Sequence, residues 1–281
     1  PWEIFDMIGG TSTGGYELLF DCNMLGSLRL SIDECLKCYE ELADKIFAPK
    51  LKSKGALKWI NAEAGGMWFN GKDLKNSIKH LLRRLSLDSD IPFRQDEEQE
   101  CKVQVMNKFS AANESNRIRT RCLFHTDTVG QQNYECSIWE AARATSAAPP
   151  YFGPVTFRGA NAATFVDGAV RANNPINLVM RDARNVWSTQ IIGCVLSIGT
   201  GKVHIKGLIE KNAKLHDIVK TMVKMASDAE ATARSFKMSE KELAAAGIYH
   251  RFNVEHGMGE VELSDTSKVQ HERFYGAVLG R

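Results

Sequence analysis

Ser12 stands in a glycine-flanked turn that could make it a nucleophile. The residues from Gly10 to Gly14 match the pattern G-x-S-x-G, and the apolar run from Ile4 to Ile8 precedes them as a buried strand would. Only small residues two positions to either side of the serine avoid a collision in such a turn. The N–H of Thr13 would then face the negative charge that develops on a substrate carbonyl oxygen. The alternative is a glycine-rich turn whose serine only caps a helix.

A serine nucleophile needs a base, and the usual candidate is a histidine. None of the seven histidines has an apolar strand end and a turn around it, although His125 closes a strand pattern and is the best placed of them. Surface or satisfied core roles are more usual for the others. Asp167 is the alternative base, because the apolar strand predicted at residues 163–166 ends in this carboxylate and a glycine follows. Sites of α/β proteins gather at such strand ends.

These motifs resemble the paired signatures of the patatin-like phospholipase family. G-T-S-T-G-G at residues 10–15 and D-G-A at residues 167–169 are similar to the two parts of that family's Ser-Asp dyad. Residues 141–154 and 173–175 also resemble its segments around the aspartate, so the likeness covers most of residues 1–200. The resemblance implies the following site: the catalytic pair Ser12 and Asp167, the nucleophile elbow and oxyanion group Gly10, Thr11, Thr13 and Gly14, and the proton-acceptor motif Gly168 and Ala169.

The resemblance implies an enzyme that cleaves carboxylic esters of phospholipids or related acyl lipids through an acyl-serine intermediate, without a cofactor. An aspartate with its ordinary pKa of about 3.9 is a weak base at neutral pH. We therefore expect the carboxylate of Asp167 to be partly desolvated, as the neighbouring Phe165 and Val166 would allow.

Two features depart from the family pattern. The family carries a glycine-rich stretch, D-G-G-G-x-[RK]-G, upstream of the nucleophile strand, and residues 1–281 contain no such stretch. The segment from Tyr16 to Asn23 is also about one helical turn longer than in close relatives. We expect residues 1–281 to form a single patatin-like catalytic domain, a fragment of a longer chain with further domains. The alternative function is a catalytically impaired module that acts as a sensor or interaction domain.

Composition and other motifs argue against several classes of protein. Lys and Arg number 36 against 34 Asp and Glu, so charge gives no reason to propose a nucleic-acid partner. The longest apolar runs are far shorter than the ~20 residues of a membrane span. From the resemblance to lipid hydrolases, we expect a cytoplasmic protein that acts peripherally at membranes. The P-loop pattern fails at Leu196 and Val203 around Gly199 to Lys202, and no metal-binding motif occurs.

Strands and helices alternate along the chain. This order predicts an α/β protein, a three-layer α/β/α sandwich around a mostly parallel central sheet. The apolar patterns predict strands at residues 4–8, 103–106, 121–125, 163–166 and 191–198. Capping and periodic patterns predict helices from residue 16, at 31–46 and 72–85, from 137, at 175–184 and within 205–246. Residues 88–102, which include the polar run 94–100, are predicted to form an exposed loop.

Overall fold

The structure is a computed structural model of the 281-residue chain. It describes residues 1–11, 28–51, 69–93, 101–111, 119–125, 136–147, 151–157, 163–167, 173–199 and 228–254. The predicted helix from residue 16, residues 94–100 of the predicted loop and residues 205–227 of the predicted helical region lie outside these ranges. At the two ends of that loop, Phe93 and Cys101 are buried and not exposed as predicted, and Phe93 packs in the main core.

Strands and helices alternate in the described ranges, as the sequence predicts for an α/β protein. The strands are β1 (Met7–Thr11), β2 (Lys102–Ala111), β3 (Arg119–His125), β4 (Val155–Thr156), β5 (Ala163–Asp167), β6 (Val195–Ile198) and β7 (Tyr249–Phe252). The helices are α1 (Ile32–Leu51), α2 (Gly71–Arg84), α3 (Ile138–Thr145), α4 (Ile176–Val186), α5, helical over residues 228–239, and α6 (Lys241–Ala245).

Strand β2 is the centre of a five-stranded sheet. β1 pairs with it in parallel, β3 and β5 pair with it in antiparallel fashion, and β4 extends the sheet by pairing with β5. β6 and β7 form a separate parallel pair. The parallel pairings agree with the predicted sheet, whereas three of the four pairings around β2 and β5 are antiparallel. Alternation of strands and helices does not specify strand direction, because direction depends on where each connection returns to the sheet.

Helices pack against alternate residues of β2. Val103 and Val105 are fully buried in the main core, which also contains Ala141 and Ala144 of α3. Met106 instead packs against Leu178 and Val179 of α4. Because successive side chains of a strand point to opposite faces, α3 and α4 cover opposite faces of β2. The main core also takes apolar residues of α1 and α2: Cys35, Cys38, Leu42, Ile46, Leu74, Ile78, Leu81 and Leu82.

Helix α1 begins at the predicted capping box but ends later than predicted. The N–H of Ser31 donates to the Glu34 carboxylate at 2.8 Å, and the N–H of Glu34 donates to Ser31 Oγ at 3.3 Å. The helix continues to Leu51 instead of ending before Pro49. Proline removes a single backbone donor and strains one turn. The buried face that includes Leu42 and Ile46 supplies the packing that favours a helix on either side of it.

Gly9 and Gly10, which precede Ser12 in the chain, lie inside β1 and do not end it. The sequence predicts a strand from Ile4 to Ile8 that stops at Gly9, whereas β1 runs from Met7 to Thr11. Gly9 is a glycine because α4 approaches β1 closely here, and a Cβ placed on Gly9 would overlap Cγ2 of Val179. Glycine within a strand marks such an approach, a signal that is hard to separate from a turn in sequence alone.

Strand β6 forms only over Val195–Ile198, the second half of the predicted range, and the prediction that the whole apolar run is buried is wrong. Ile191 precedes the strand and is 95% exposed, and Ile198 is 58% exposed. Among the described residues, one face of the β6–β7 pair is covered, where Val195 and Tyr249 pack against Phe236 of α5. A continuous apolar run is typical of a strand covered on both faces, and here the described residues cover one.

Replacing Gly9 by alanine should destabilise the fold, because the added methyl group meets Val179 in a packed layer. We expect a loss of about 1–3 kcal/mol in the free energy of unfolding, measured by urea denaturation. The matched control is Gly193→Ala, since nothing lies within 4 Å of a Cβ at Gly193, and it should change stability by less than about 0.5 kcal/mol. In the double mutant Gly9→Ala/Val179→Ala, the total loss should be smaller than the sum of the two single losses. Strict additivity would show that these residues do not meet.

Candidate active site

Both edges of β2 are occupied, and one of them carries two strands. β3 pairs with residues 104–109 of β2. β1 pairs with residues 102–106, and β5 pairs with residues 107–111. A strand has only two edges, and β3 overlaps the paired range of both β1 and β5. These two strands therefore lie end to end along the edge of β2 that faces away from β3.

The carboxyl ends of β1 and β5 face each other on that edge. β1 runs parallel to β2 and ends at Thr11, opposite Met106. β5 runs antiparallel and ends at Asp167, opposite Asn107. Both strands therefore end beside adjacent residues of β2, about 3.3 Å apart along the strand. We call this place, formed by Thr11, Met106, Asn107 and Asp167, the strand-end junction.

The predicted site residues fall partly within the described ranges. Gly10 and Thr11 end β1, both buried, and Asp167 ends β5. The chain continues from Thr11 directly into Ser12. Ser12, Thr13, Gly14, Gly168 and Ala169 lie outside the described residues, so their predicted roles stay predictions.

His125, the other candidate base, lies on the far side of β2. It ends β3, and its Cα is paired with that of Gln104. That position is on the opposite edge of β2 from β1 and β5, and three residues from the level of Asn107. The backbone therefore brings the end of β1 to the level of Asp167, while β2 separates it from His125.

Thr11 contributes a buried hydroxyl at the junction. The residue is 3% exposed, and its Oγ1 has no hydrogen-bond partner among the described residues. A buried hydroxyl left without a partner costs about 1–3 kcal/mol, so such groups are uncommon in folded proteins. Thr11 thus offers a polar group directly before Ser12, the predicted nucleophile, in the chain.

The amino-terminal half of α3 is fixed by polar contacts to neighbouring elements. Its capping box joins Ser137 and Glu140, with the N–H of Ser137 donating to the Glu140 carboxylate at 2.9 Å. The indole N–H of Trp139 donates to Asp90 at 2.9 Å, and Lys79 of α2 binds the same carboxylate at 2.5 and 2.7 Å. Asp90 therefore joins α3 to α2.

The carboxyl-terminal half of α3 contacts the sheet and the following loop. Thr145 Oγ1 donates to the carbonyl oxygen of Met106 at 2.7 Å. Arg143 is buried, and its Nη2 donates to the carbonyl oxygen of Gly153 at 2.6 Å. Its Nε lies only 2.5 Å from where a Cβ of Gly71 would stand, so glycine lets α2 begin against the guanidinium. Burial lowers the pKa of Arg143 from its ordinary value.

Helix α4 is held at its start by the segment that follows the aspartate motif. The N–H of Ile176 donates to Asn174 Oδ1 at 3.2 Å, which opens the helix. Asn174 Nδ2 donates to the carbonyl oxygen of Ala229 at 3.2 Å and so ties α4 to α5. Through Val179, the same helix rests on Gly9 of β1. α4 therefore supports the strand that leads to Ser12.

No metal site is evident in the part of the chain that the structure describes. Its His, Cys, Asp and Glu side chains form no group of three that could hold a metal ion. Among the described helices, none is both long enough and apolar enough to cross a membrane.

Sequence reasoning missed Met106 as a part of the junction and Thr145 as the residue that bonds to it. Thr145 stands among alanines in α3, where a polar residue on the buried face is a signal for a hydrogen bond to a neighbouring element. The sequence does not say which element it reaches. Met106 was predicted only as the end of a strand.

The fold and the junction define an α/β protein whose candidate site lies where two strands end, and comparison with known proteins supplies the family. The model of the family described as patatin-like phospholipase matches residues 3–180. The chain belongs to this family. The match includes β1, β2, β5 and the first half of α4, and thus the whole strand-end junction.

Several characterised proteins are similar to the chain at low identity. Calcium-independent phospholipase A2-gamma of Rattus norvegicus is 25% identical over 262 residues, which cover 89% of this chain and 30% of the relative. The Homo sapiens protein of the same name is 24% identical over 262 residues, with the same coverage. Phospholipase A I of Arabidopsis thaliana is 24% identical over 246 residues, which cover 72% of this chain and 18% of the relative. The chain thus spans less than a third of the length of these relatives.

Replacing Asp90 by asparagine should weaken the link between α2 and α3 in a pH-dependent way. The hydrogen bond from Lys79, followed by that from Trp139, lowers the pKa of Asp90 to about 2. Because the pKa of Asp90 is lower in the folded than in the unfolded chain, where it is about 3.9, its carboxylate stabilises the fold fully at pH values above 3.9. This contribution is lost as the pH falls through the folded pKa of about 2. We expect Asp90→Asn to cost up to about 1 kcal/mol at pH 7, because the carboxylate is exposed.

Denaturation at several pH values checks this expectation. The difference in unfolding free energy between wild type and Asp90→Asn should shrink steadily below pH 4 and vanish near pH 2. Glu3→Gln, which removes an exposed carboxylate elsewhere, serves as the control for the loss of one negative charge. A difference that is the same at pH 7 and pH 2.5 would contradict the assignment.

Proposed function

We propose that this protein is a lipid acyl hydrolase of phospholipase A type, with Ser12 as nucleophile and Asp167 as base. It would cleave carboxylic esters of phospholipids or related acyl lipids. The observation that carries the proposal is the strand-end junction, where β1, which runs into Ser12, ends opposite Met106 and β5 ends with Asp167 opposite Asn107. Membership of the patatin-like phospholipase family and similarity to phospholipases support the same chemistry.

In the first half of the proposed reaction, the substrate acyl group moves to the enzyme. Asp167 accepts the proton of the Ser12 hydroxyl while Ser12 Oγ attacks the carbonyl carbon of the ester. The N–H of Thr13, within the elbow formed by Gly10, Thr11 and Gly14, stabilises the oxyanion. The C–O bond to the alcohol then breaks, and the alcohol leaves with the proton from Asp167. The products are an acyl-serine and a lysolipid.

In the second half, water releases the fatty acid. Asp167 takes a proton from a water molecule, whose oxygen attacks the acyl carbon. The bond to Ser12 Oγ breaks, and the serine recovers its proton from Asp167. Phe165, two residues before Asp167 on β5, is fully buried. Nearby apolar packing disfavours a charged carboxylate and would make Asp167 a stronger base.

The wider proposal concerns the architecture and setting of this domain. Helices on both faces of β2 support a three-layer α/β/α sandwich. The short share of each relative that the chain covers supports a catalytic domain within a longer protein that has further domains. We propose that this protein is cytoplasmic and meets its lipid substrate peripherally, at a membrane surface.

Replacing Ser12 by alanine in the full-length protein should abolish ester hydrolysis while the protein still folds. The change removes one oxygen atom, and with it the only atom that can form the acyl-enzyme. We expect kcat for a short-chain nitrophenyl ester, and for release of fatty acid from phospholipid vesicles, to fall by about a thousand-fold or more. Unchanged turnover would rule out this nucleophile. If the wild type is inactive, and if it and Ser12→Ala bind lipid vesicles equally tightly, the alternative function as a catalytically impaired sensor module is favoured instead.

Replacing Asp167 by asparagine should reduce kcat about as much as replacing Ser12, because the two residues act on the same proton. The double mutant Ser12→Ala/Asp167→Asn should then be little worse than either single mutant. His125→Asn is the matched control, and it should keep wild-type turnover within about three-fold because His125 lies on the other edge of β2. A loss of activity in His125→Asn with little loss in Asp167→Asn would transfer the role of base to the histidine.

A further inference from the structure

The last residue of α3 reaches the sheet at the strand-end junction. Thr145 is fully buried, and its Oγ1 donates to the carbonyl oxygen of Met106 at 2.7 Å. It is the hydroxyl of a helix residue that bonds to the backbone of a strand in another part of the chain. Such a contact fixes the position of the helix end relative to the strand more narrowly than apolar packing does, because hydrogen bonds are directional.

Met106 is the point where the ladders around β2 are interrupted. β1 ends opposite Met106, and β5 begins to pair only at Asn107. On the other edge, the register between β2 and β3 shifts between Val105 and Met106. A bulge disturbs the ladder and bends the strand locally. Met106 is paired on both edges, with Thr11 and Cys122, and the pairing pattern changes directly beside it on each edge.

Helix α3 is well suited to fix the position of β2 at Met106 in addition to the strand pairings. Its start is held by the Ser137–Glu140 capping box and by the bond from Trp139 to Asp90. Ala141 and Ala144 are both fully buried, so the helix lies close against the sheet. A helix fixed at its start and packed along its length presents the Thr145 hydroxyl at a defined height over β2.

We propose that Thr145 is a positioning residue for the catalytic pair. By holding the Met106 carbonyl group, it sets the level of β2 at which the ends of β1 and β5 meet, and so the separation between Ser12 and Asp167. Thr145 itself touches no reacting atom. The inference rests on the proposed function, because it assigns Thr145 a part in bringing together the two residues proposed there.

The main test compares Thr145→Val, which keeps the shape of the side chain but cannot donate, with Thr145→Ser, which keeps the hydroxyl. In the full-length protein, we expect Thr145→Val to lower kcat by about 10- to 100-fold with KM within about two-fold, because a misplaced catalytic pair slows the chemical step. Thr145→Ser should keep kcat within about three-fold of wild type. Thr232→Val is the matched control, since it removes another threonine-to-carbonyl bond, to Asp228 on α5, and should leave kcat unchanged.

All rates are to be measured below the onset of thermal unfolding of each variant. If Thr145→Val does not fold, Thr145→Cys replaces it, because cysteine is close to serine in shape but is a poor hydrogen-bond donor. A tenfold lower kcat in the cysteine variant than in the serine variant would support the inference. Equal kcat values in the serine variant and the variant without a good donor would overturn it, as would a change confined to KM.

The same series separates this inference from the proposed function. If wild type is active, Ser12→Ala is inactive and Thr145→Val keeps full kcat, the proposed function stands and the role of Thr145 is wrong. If wild type is inactive, or if Ser12→Ala keeps its turnover, the proposed function fails and the inference about Thr145 fails with it.

Discussion

The two edges of β2 impose the constraint on which the candidate site depends. One edge is taken by β3 over residues 104–109, and this leaves a single edge for both β1 and β5. Since β1 runs parallel and β5 antiparallel to β2, their carboxyl ends must face each other. Two segments far apart in the chain thereby end beside neighbouring residues, Met106 and Asn107, with no direct hydrogen-bond ladder between them.

Close packing on both faces of the sheet keeps this arrangement in place. On one face, the lack of a side chain at Gly9 lets Val179 of α4 approach β1. On the other, Ala141 and Ala144 let α3 lie against β2 and β5, and the Thr145 hydroxyl reaches the Met106 carbonyl oxygen. Small residues thus bring both helices near the junction, and directional polar contacts define their positions once they are near.

The family match and the strand-end junction lie in the same part of the chain. The matched residues, 3–180, contain the strand-end junction and end within α4. β6, β7 and α6 lie beyond this match, and there the apolar residues Ile191 and Ile198 are exposed. The chain covers 18–30% of the length of the phospholipases quoted above, so the junction belongs to a core that relatives embed in much longer proteins.

The sequence by itself determined the α/β class, the family, and the position of most helices and strands. Capping boxes at Ser31 and Ser137 and apolar runs such as the one ending at Asp167 are local signals, and local signals can be found along a chain. The sequence placed the end of β1 too early, because a glycine can mark either a turn or a close contact. At Gly9 it allows the close contact with α4.

Only the tertiary structure decided how these elements meet. The end-to-end placement of β1 and β5, the separation of His125 from them by β2, and the bond from Thr145 to Met106 all join residues distant in sequence. The exposure of Ile198 was decided in the same way, because it depends on which face of the β6–β7 pair another element covers. Pairing edge, register and coverage depend on the packing of the whole chain, and no local pattern specifies them.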